Sequence, residues 1–529
     1  MKKNTFLTAV FIFASNLIIH AQVNTTIINQ KTFGGSNIDF SATGVICQNG
    51  DYVVAGSSLS TISGDKIDTT RGLQDFWILR YNSSMTALWQ KTFGGTNGDI
   101  LYSIIETSDG GFLCGGSSDS PISGDKTISN VGLTDFWLIK LDANGNIIWQ
   151  KTYGGSDVDV LKSIVELNDG SFILAGGSNS PISGDKTENS RGNGDFWIIK
   201  INNNGDKIWD KTIGGTDAED LTFISNVNNT ELILSGTSLS NISFEKSENS
   251  YGTYDNWVVK IDTSGNLIWD KTIGGSFQDY LGNAVFTSNG IYVISQSFSD
   301  ISGTKTQNSK GQSDYWVTKL DINGNIIWDK TIGSDWYDIP RSITVTNDGQ
   351  LLLSGHSWSG VSGDKTEATN GIYDFWLVSI DTSGNILWQK TIGGSDWDQL
   401  SVTLEISDNH YLLIGDSKSN ISGDKTENSR GQEDYWIVEI TSTVGIEEMN
   451  SNFISVYPNP ANENITINFY PNKNSTKEIF IFDITEKIIY TSTASATSEK
   501  VDVSFLQNGV YILKVIDGNE ESTFKLIKH

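Results

Sequence analysis

The chain has 529 residues, and its 63 Asp and Glu against 36 Lys and Arg give a formal net charge of −27. Such a field repels nucleic acid and anionic membranes, arguing against both as partners, and favours cations and basic ligands. Gly at 53 and Pro at only 6, with 16 Trp, 17 Tyr and 23 Phe, describe an all-β chain with many tight turns.

Met1-Lys2-Lys3, an apolar stretch from Phe6 to Ile19 and the small residue Ala21 form the pattern of a secretory signal peptide over 1–22. The apolar run is short for a membrane span, so the expectation is an exported chain with no transmembrane segment after signal removal.

From 23 to 440 one sentence is written seven times. Lys66, Lys126, Lys186, Lys246, Lys305, Lys365 and Lys425 recur in steps of 60 residues with one of 59, and Trp77, Trp137, Trp197, Trp257, Trp316, Trp376 and Trp436 keep the same step. In the third copy, strands are expected over 163–167, 171–177, 195–201 and 207–213, separated by Asn168-Asp169-Gly170, a long polar loop and Asn203-Asn204-Gly205-Asp206. Four antiparallel strands in each of seven copies predict a seven-bladed β-propeller, with a solenoid as the alternative. The two chain ends favour the ring. The last copy stops after its third strand, at Trp436 to Ile440, and Thr26 to Phe33 reads as the missing fourth strand, which closes the ring and removes free sheet edges.

Strand alternation puts tight turns such as Asp109-Gly110 on one face and the long loops, typified by 178–194, on the other, where a ligand is expected. On that face an acidic column is complete: Asp39, Asp99, Asp159, Glu219, Asp279, Asp338 and Asp398. Its structural role is to cap the Gly-Gly turns; its functional alternative is a ring of carboxylates at the channel mouth taking a cation such as calcium. No other cofactor is implied. The Lys column is expected to form exposed pairs with acids, and the Trp columns to pack between blades. The non-repeated Trp336, Tyr337, Trp358 and Trp397 are candidates for a glycan platform, because the repeat does not require them.

Catalytic signatures are poor. Beyond the signal peptide the histidines are His356, His410 and His529, without metal-ligand spacing. The pairs Asp335 with Asp338 and Asp396 with Asp398 support an alternative reading as an extracellular polysaccharide hydrolase or lyase. Cys47 and Cys114 occupy different positions of their copies and read as buried free thiols.

The order Lys-Thr-x-Gly-Gly-Ser-x-x-Asp over Lys151 to Asp159, with Asp-Phe-Trp-x-x-Lys-x-Asp-x-x-Gly-Asn over 135–146, resembles the bacterial β-propeller repeat called SBBP. The resemblance covers 26–440 and implies an extracellular scaffold. After a linker over 441–452, the motifs Tyr457-Pro458-Asn459-Pro460-Ala461, Ile479 to Asp483 and Gly509 to Val515 predict a small β-sandwich over 453–529. They resemble the type A C-terminal sorting domain of the type IX (Por) secretion system of Bacteroidetes. That resemblance implies the type IX machinery as a partner and an extracellular or outer-membrane-surface location. The functional expectation is a non-enzymatic scaffold binding a glycan, a protein or a cation through its long-loop face.

Overall fold

A computed structural model of the chain describes residues 22–445, 454–469, 476–484, 487–517 and 520–529. The expected signal peptide, apart from Gln22, and most of the expected linker lie outside these residues. The described residues contain no helix, and two compact units separate: Thr25–Thr441 and a second that includes Ser442–His529.

The third repeat shows how the sequence makes its sheet. Strands Asp159–Glu166, Phe172–Ser178, Asp195–Ile201 and Lys207–Ile213 pair antiparallel in that order. The two middle strands are apolar on both faces, as FILAGGS and DFWIIKI, because each face meets a neighbouring sheet and both are buried along nearly their whole length. The fourth strand is edge-like, with Ile208 exposed. The first strand starts four residues before the Ser163 expected from hydrophobicity, so the acidic column begins the strand instead of preceding it. Its ladder slips between Leu161 and Ser163, and a bulge leaves Lys162 outside the pairing. The same slip sets aside Tyr102, Thr222, Arg341 and Ser401 in other repeats.

Among the described residues, the repeat unit holds seven such four-stranded sheets. The last is composite: Asp398–Ser407, His410–Ser417 and Asp434–Gly445 are completed by the N-terminal strand Gln22–Phe33 on the outside. Trp436 Nε1 donates to Gln30 Oε1 at 3.1 Å and Lys31 pairs with Glu427 at 2.6 Å across that junction.

Neighbouring sheets are joined by aromatic pairs. Phe76 meets Trp137, and Phe136 meets Trp197, each with ring centroids 5.0 Å apart; the tryptophans are fully buried. Tyr315 with Trp376 and Tyr435 with Trp77 repeat the contact. The fourth repeat breaks it: Asn256 occupies the aromatic position, and its buried amide has no hydrogen-bond partner among the described residues.

In the second unit, a three-stranded sheet of Ile454–Tyr457, Asn464–Phe469 and Ser498–Asp502 and a four-stranded sheet of Lys477–Phe482, Ile488–Ala494, Gly509–Asp517 and Glu520–Lys528 share one core, including Ile465, Ile467, Ile481, Leu513 and Leu526. The Pro-Asn-Pro-Ala motif is tied to the last strand: Ala461 N–H donates to the Ile527 carbonyl at 2.7 Å, and Asn459 Oδ1 accepts from Ile527 N–H at 2.9 Å.

Candidate ligand-binding face

The acidic column is not displayed at a channel mouth. Asp39, Asp99, Asp159, Asp279, Asp338 and Asp398 are 0% exposed and Glu219 is 3% exposed. Each accepts the N–H of the residue four positions earlier: Gly35, Gly95, Gly155, Gly215 and Gly275 donate at 2.7 Å, Ser334 at 2.7 Å and Gly394 at 2.6 Å. Serine hydroxyls add to this, as Ser120 Oγ does to Asp99 at 2.9 Å. One oxygen of each carboxylate is held by a turn amide, and burial closes the other to a solvated cation. Among the described residues no cluster of His, Cys, Asp and Glu is arranged to hold a metal ion.

The Lys column also departs from expectation. Its members are buried, not exposed: Lys66 is 1% exposed, donates to Thr92 Oγ1 at 2.6 Å and lies 4.9 Å from the Trp77 ring centroid. Burial pulls its ammonium down to about 8, against the opposing pull of Asp39, Asp68 and Asp75. The third-strand aspartates complete this buried charge set. Burial, with Asp99 nearby, pushes Asp75 up to about 7, though it accepts the Arg71 N–H. A Cβ on Gly94 would fall 2.1 Å from Asp75 Oδ1, so only glycine admits that carboxylate. These shared residues build the junctions between sheets.

The non-repeated aromatics behave differently: the structure brings all four together. Trp336 and Trp358 have centroids 5.8 Å apart, and Tyr337 stacks on Trp358 at 6.1 Å. Tyr373 then links Trp358, at 5.3 Å, to Trp397, at 5.6 Å, and Lys418 Nζ sits 4.3 Å over the Trp397 ring. The chain of rings continues the other way through Phe298, Tyr280 and Tyr254, with steps of 6.3, 5.7 and 6.4 Å. Trp336 is 51% exposed, Trp358 41%, Tyr254 39% and Trp397 37%, so the arc faces solvent from the fourth repeat to the seventh.

At the Tyr254 end the arc opens on a cavity of about 540 Å³ whose lining includes Tyr254, Tyr280, Asn179, Asn193, Asp220 and Gln278. Tyr254, Tyr280, Phe298 and Tyr373 were missed by the sequence reading. The signal was present: none of these positions is fixed by the repeat, and the column that holds Tyr254 and Tyr373 otherwise carries Gln74, Thr134, Gly194, Ser313 and Glu433.

The paired-carboxylate alternative is not assembled. Asp338 is buried and held by Ser334, whereas Asp335 is exposed and bonded to Ser362 Oγ at 2.6 Å. Asp398 is likewise buried while Asp396 accepts the Trp397 N–H. Neither pair faces one cleft as glycoside hydrolysis requires. Cys47 and Cys114 are buried free thiols, with burial pushing Cys47 up to about 12. His356 is buried under Tyr373, edge to face at 5.4 Å, and desolvation keeps it neutral.

Comparison with known proteins bears mainly on the second unit. Residues 455–529 match the family described as the secretion system C-terminal sorting domain. The tail is a sorting domain. A sorting tail of this kind marks the chain for the type IX machinery and for the cell surface or the extracellular space. A curated relative, the Regulatory protein FlaEY of Caulobacter vibrioides, is 20% identical over 443 residues, 73% of this chain and 45% of its own length. The chain thus spans less than half of that relative. Among solved structures, phage phi92 endosialidase aligns with 83% of this chain and 72% of its own at 9% identity and a TM-score of 0.38, and puromycin hydrolase with 83% and 60% at 10% identity and 0.42.

Proposed function

We propose that the repeat unit is a closed seven-bladed β-propeller, delivered outside the cell by its sorting tail, that binds a glycan chain along the aromatic arc. Closure is supported by contacts between the first and last repeats: strand Asp39–Ile46 packs on strand Asp398–Ser407, Asp39 N–H donates to the Glu433 carbonyl at 2.8 Å, and Ser401 Oγ donates to the Ser41 carbonyl at 3.0 Å. One cavity also takes a residue from each first strand: Phe40, Tyr102, Lys162, Thr222, Asn283, Arg341 and Ser401.

The observation that carries glycan binding is the unbroken run of eight rings, with Tyr254, Trp336, Trp358 and Trp397 exposed and the four between them half-buried, at positions the repeat does not fix. Flat sugar faces stack on aromatic faces, while the amides and carboxylate around the adjoining cavity, Asn179, Asn193, Gln278 and Asp220, suit hydroxyl groups. A protein ligand would be expected to need a broader interface with an apolar centre.

The test is affinity electrophoresis and calorimetry of the repeat unit within the full chain against a panel of neutral and acidic polysaccharides. At least one should bind, and Trp358→Ala, which removes the ring contacted by Trp336, Tyr337 and Tyr373, should weaken it about tenfold or more. Uniform silence across the panel, with capture of a protein instead, would sink the glycan reading.

A further inference from the structure

The cavity enclosed by the seven first strands holds about 420 Å³ and carries two basic side chains, Lys162 and Arg341. Both sit at the bulge position that leaves the strand ladder, where other repeats have Tyr102, Thr222 and Ser401. The fold therefore does not ask for a cation there. Yet two of the 36 basic residues of a strongly acidic chain converge on this space.

Neither cation is neutralised. Among the described residues, no carboxylate lies within ion-pair distance of Arg341 or Lys162, in a protein where Arg71, Arg80, Arg191 and Arg430 all have such partners. Arg341 is open to solvent within the cavity, while the protein around it pulls its guanidinium below the usual range. Lys162 Nζ lies 4.5 Å over the Tyr102 ring, which holds it without supplying a counter-charge. The acid that lines the cavity is Asp416, which acts on Arg341 electrostatically but spends Oδ1 on the Ser41 N–H at 2.5 Å. Burial raises Asp416 far above the carboxylate range, so it opposes the cations weakly. Asn283, Gln399 and Ser401 add neutral donors to the same wall.

We propose that this cavity is a binding site for a small oxyanion, a carboxylate, sulfate or phosphate group, clamped between the guanidinium of Arg341 and the ammonium of Lys162. A planar guanidinium offers paired N–H donors to such a group, and a recess walled by protein screens the attraction less than bulk water does. The site is distinct from the aromatic arc and does not rest on glycan binding.

The experiment is calorimetry and thermal melting of the full chain with inorganic phosphate, sulfate, citrate and glucuronate. The expected result is saturable binding of at least one anion that weakens as sodium chloride is raised. Arg341→Gln and Lys162→Gln should each weaken it about tenfold or more, and the double variant should abolish it. Preference for glucuronate would mark an acidic sugar as the source, and preference for phosphate or sulfate a free inorganic ion. Trp358→Ala should leave anion binding unchanged, which separates this result from the fate of the glycan reading. Because both cations face a cavity, the variants should melt near the wild type; if Arg341→Gln fails to fold, the half-buried Lys162→Gln alone decides. No saturable binding by the wild type, or equal binding by Lys162→Gln, would overturn the proposal.

Discussion

Repeats two and three and repeats six and seven share one backbone plan and differ in what they show beside the first strand. Flanking the buried acid and opening the following loop, repeats two and three carry Gly98, Ile100 and Asp119, then Val158, Val160 and Asn179. Repeats six and seven carry Tyr337, Ile339 and Trp358, then Trp397, Gln399 and Lys418. The caps beneath are the same: Gly95 and Gly155 donate to Asp99 and Asp159 as Ser334 and Gly394 do to Asp338 and Asp398. A sheet that forms equally well over Gly98 and over Tyr337 does not need the ring. Large aromatic side chains left partly in water gain little for stability, so their clustering on one half of the face is not explained by the fold and is what the proposed glycan site rests on.

The comparison can be broken most sharply with two tryptophans of one repeat. Trp376 is fully buried against Tyr315 of the preceding sheet, with centroids 4.9 Å apart, and Trp358 is 41% exposed. Trp376→Ala should cost about 3–5 kcal/mol of unfolding free energy, whereas Trp358→Ala should stay within about 1 kcal/mol. Denaturant melts of the two proteins decide this. Equal losses would mean that the arc belongs to the fold after all.

A smaller, opposite effect is expected where a shared column lapses. Six repeats place Phe or Tyr against the next tryptophan, and the fourth places Asn256 there, buried and without a hydrogen-bond partner among the described residues. Asn256→Phe restores the aromatic facing Trp316 and removes an unsatisfied amide, so it should stabilise by about 1–3 kcal/mol. A destabilised Asn256→Phe protein would show that this junction is packed differently from the other six.

How much of this was legible in the sequence follows the same division. Strand order, the complementary chain ends and the inter-sheet tryptophans could be read because a period of 60 residues repeats every letter that the junctions need. The Lys column was misplaced to the surface because nothing in Gly-Asp-Lys says that its loop folds inward; only the Lys66 to Thr92 bond and the Trp77 ring beneath it reveal that. Trp336, Tyr337, Trp358 and Trp397 were visible as departures from the repeat, but their contiguity depends on Tyr373, which bridges two of them across a junction. Lys162 and Arg341 went unremarked because the bulge that turns them out of the ladder is a property of the backbone, not of any residue type.

The smallest expected effect is a pH dependence confined to the shared machinery. Burial pushes Asp75 and Asp374 up to about 7 and Asp135, Asp195, Asp255 and Asp434 up to about 6. An unfolded chain releases those protons near pH ~3.9, so the native state holds protons that the unfolded state has lost. Their stabilising contribution is complete below about pH 4 and disappears as pH rises through the folded values. The buried lysines act in a separate window: with Lys66, Lys126 and Lys365 lowered to about 8, their contribution is lost as pH falls from about 10.5 through 8 and changes little below that. Between about pH 8 and about pH 5 the aspartates outnumber the opposing group, His356, whose desolvated imidazole loses stability as pH falls below its ordinary range, so the melting temperature of the repeat unit should rise as pH falls. Asp374→Asn keeps an acceptor for the Asn370 N–H but carries no charge, so it should make that rise shallower. Trp358→Ala should leave the slope untouched, because the arc has no part in the buried charge set. A melting temperature that instead falls steadily across this window would show that the shared carboxylates are not burdened by burial, and the division between the two classes of column would then rest on packing alone.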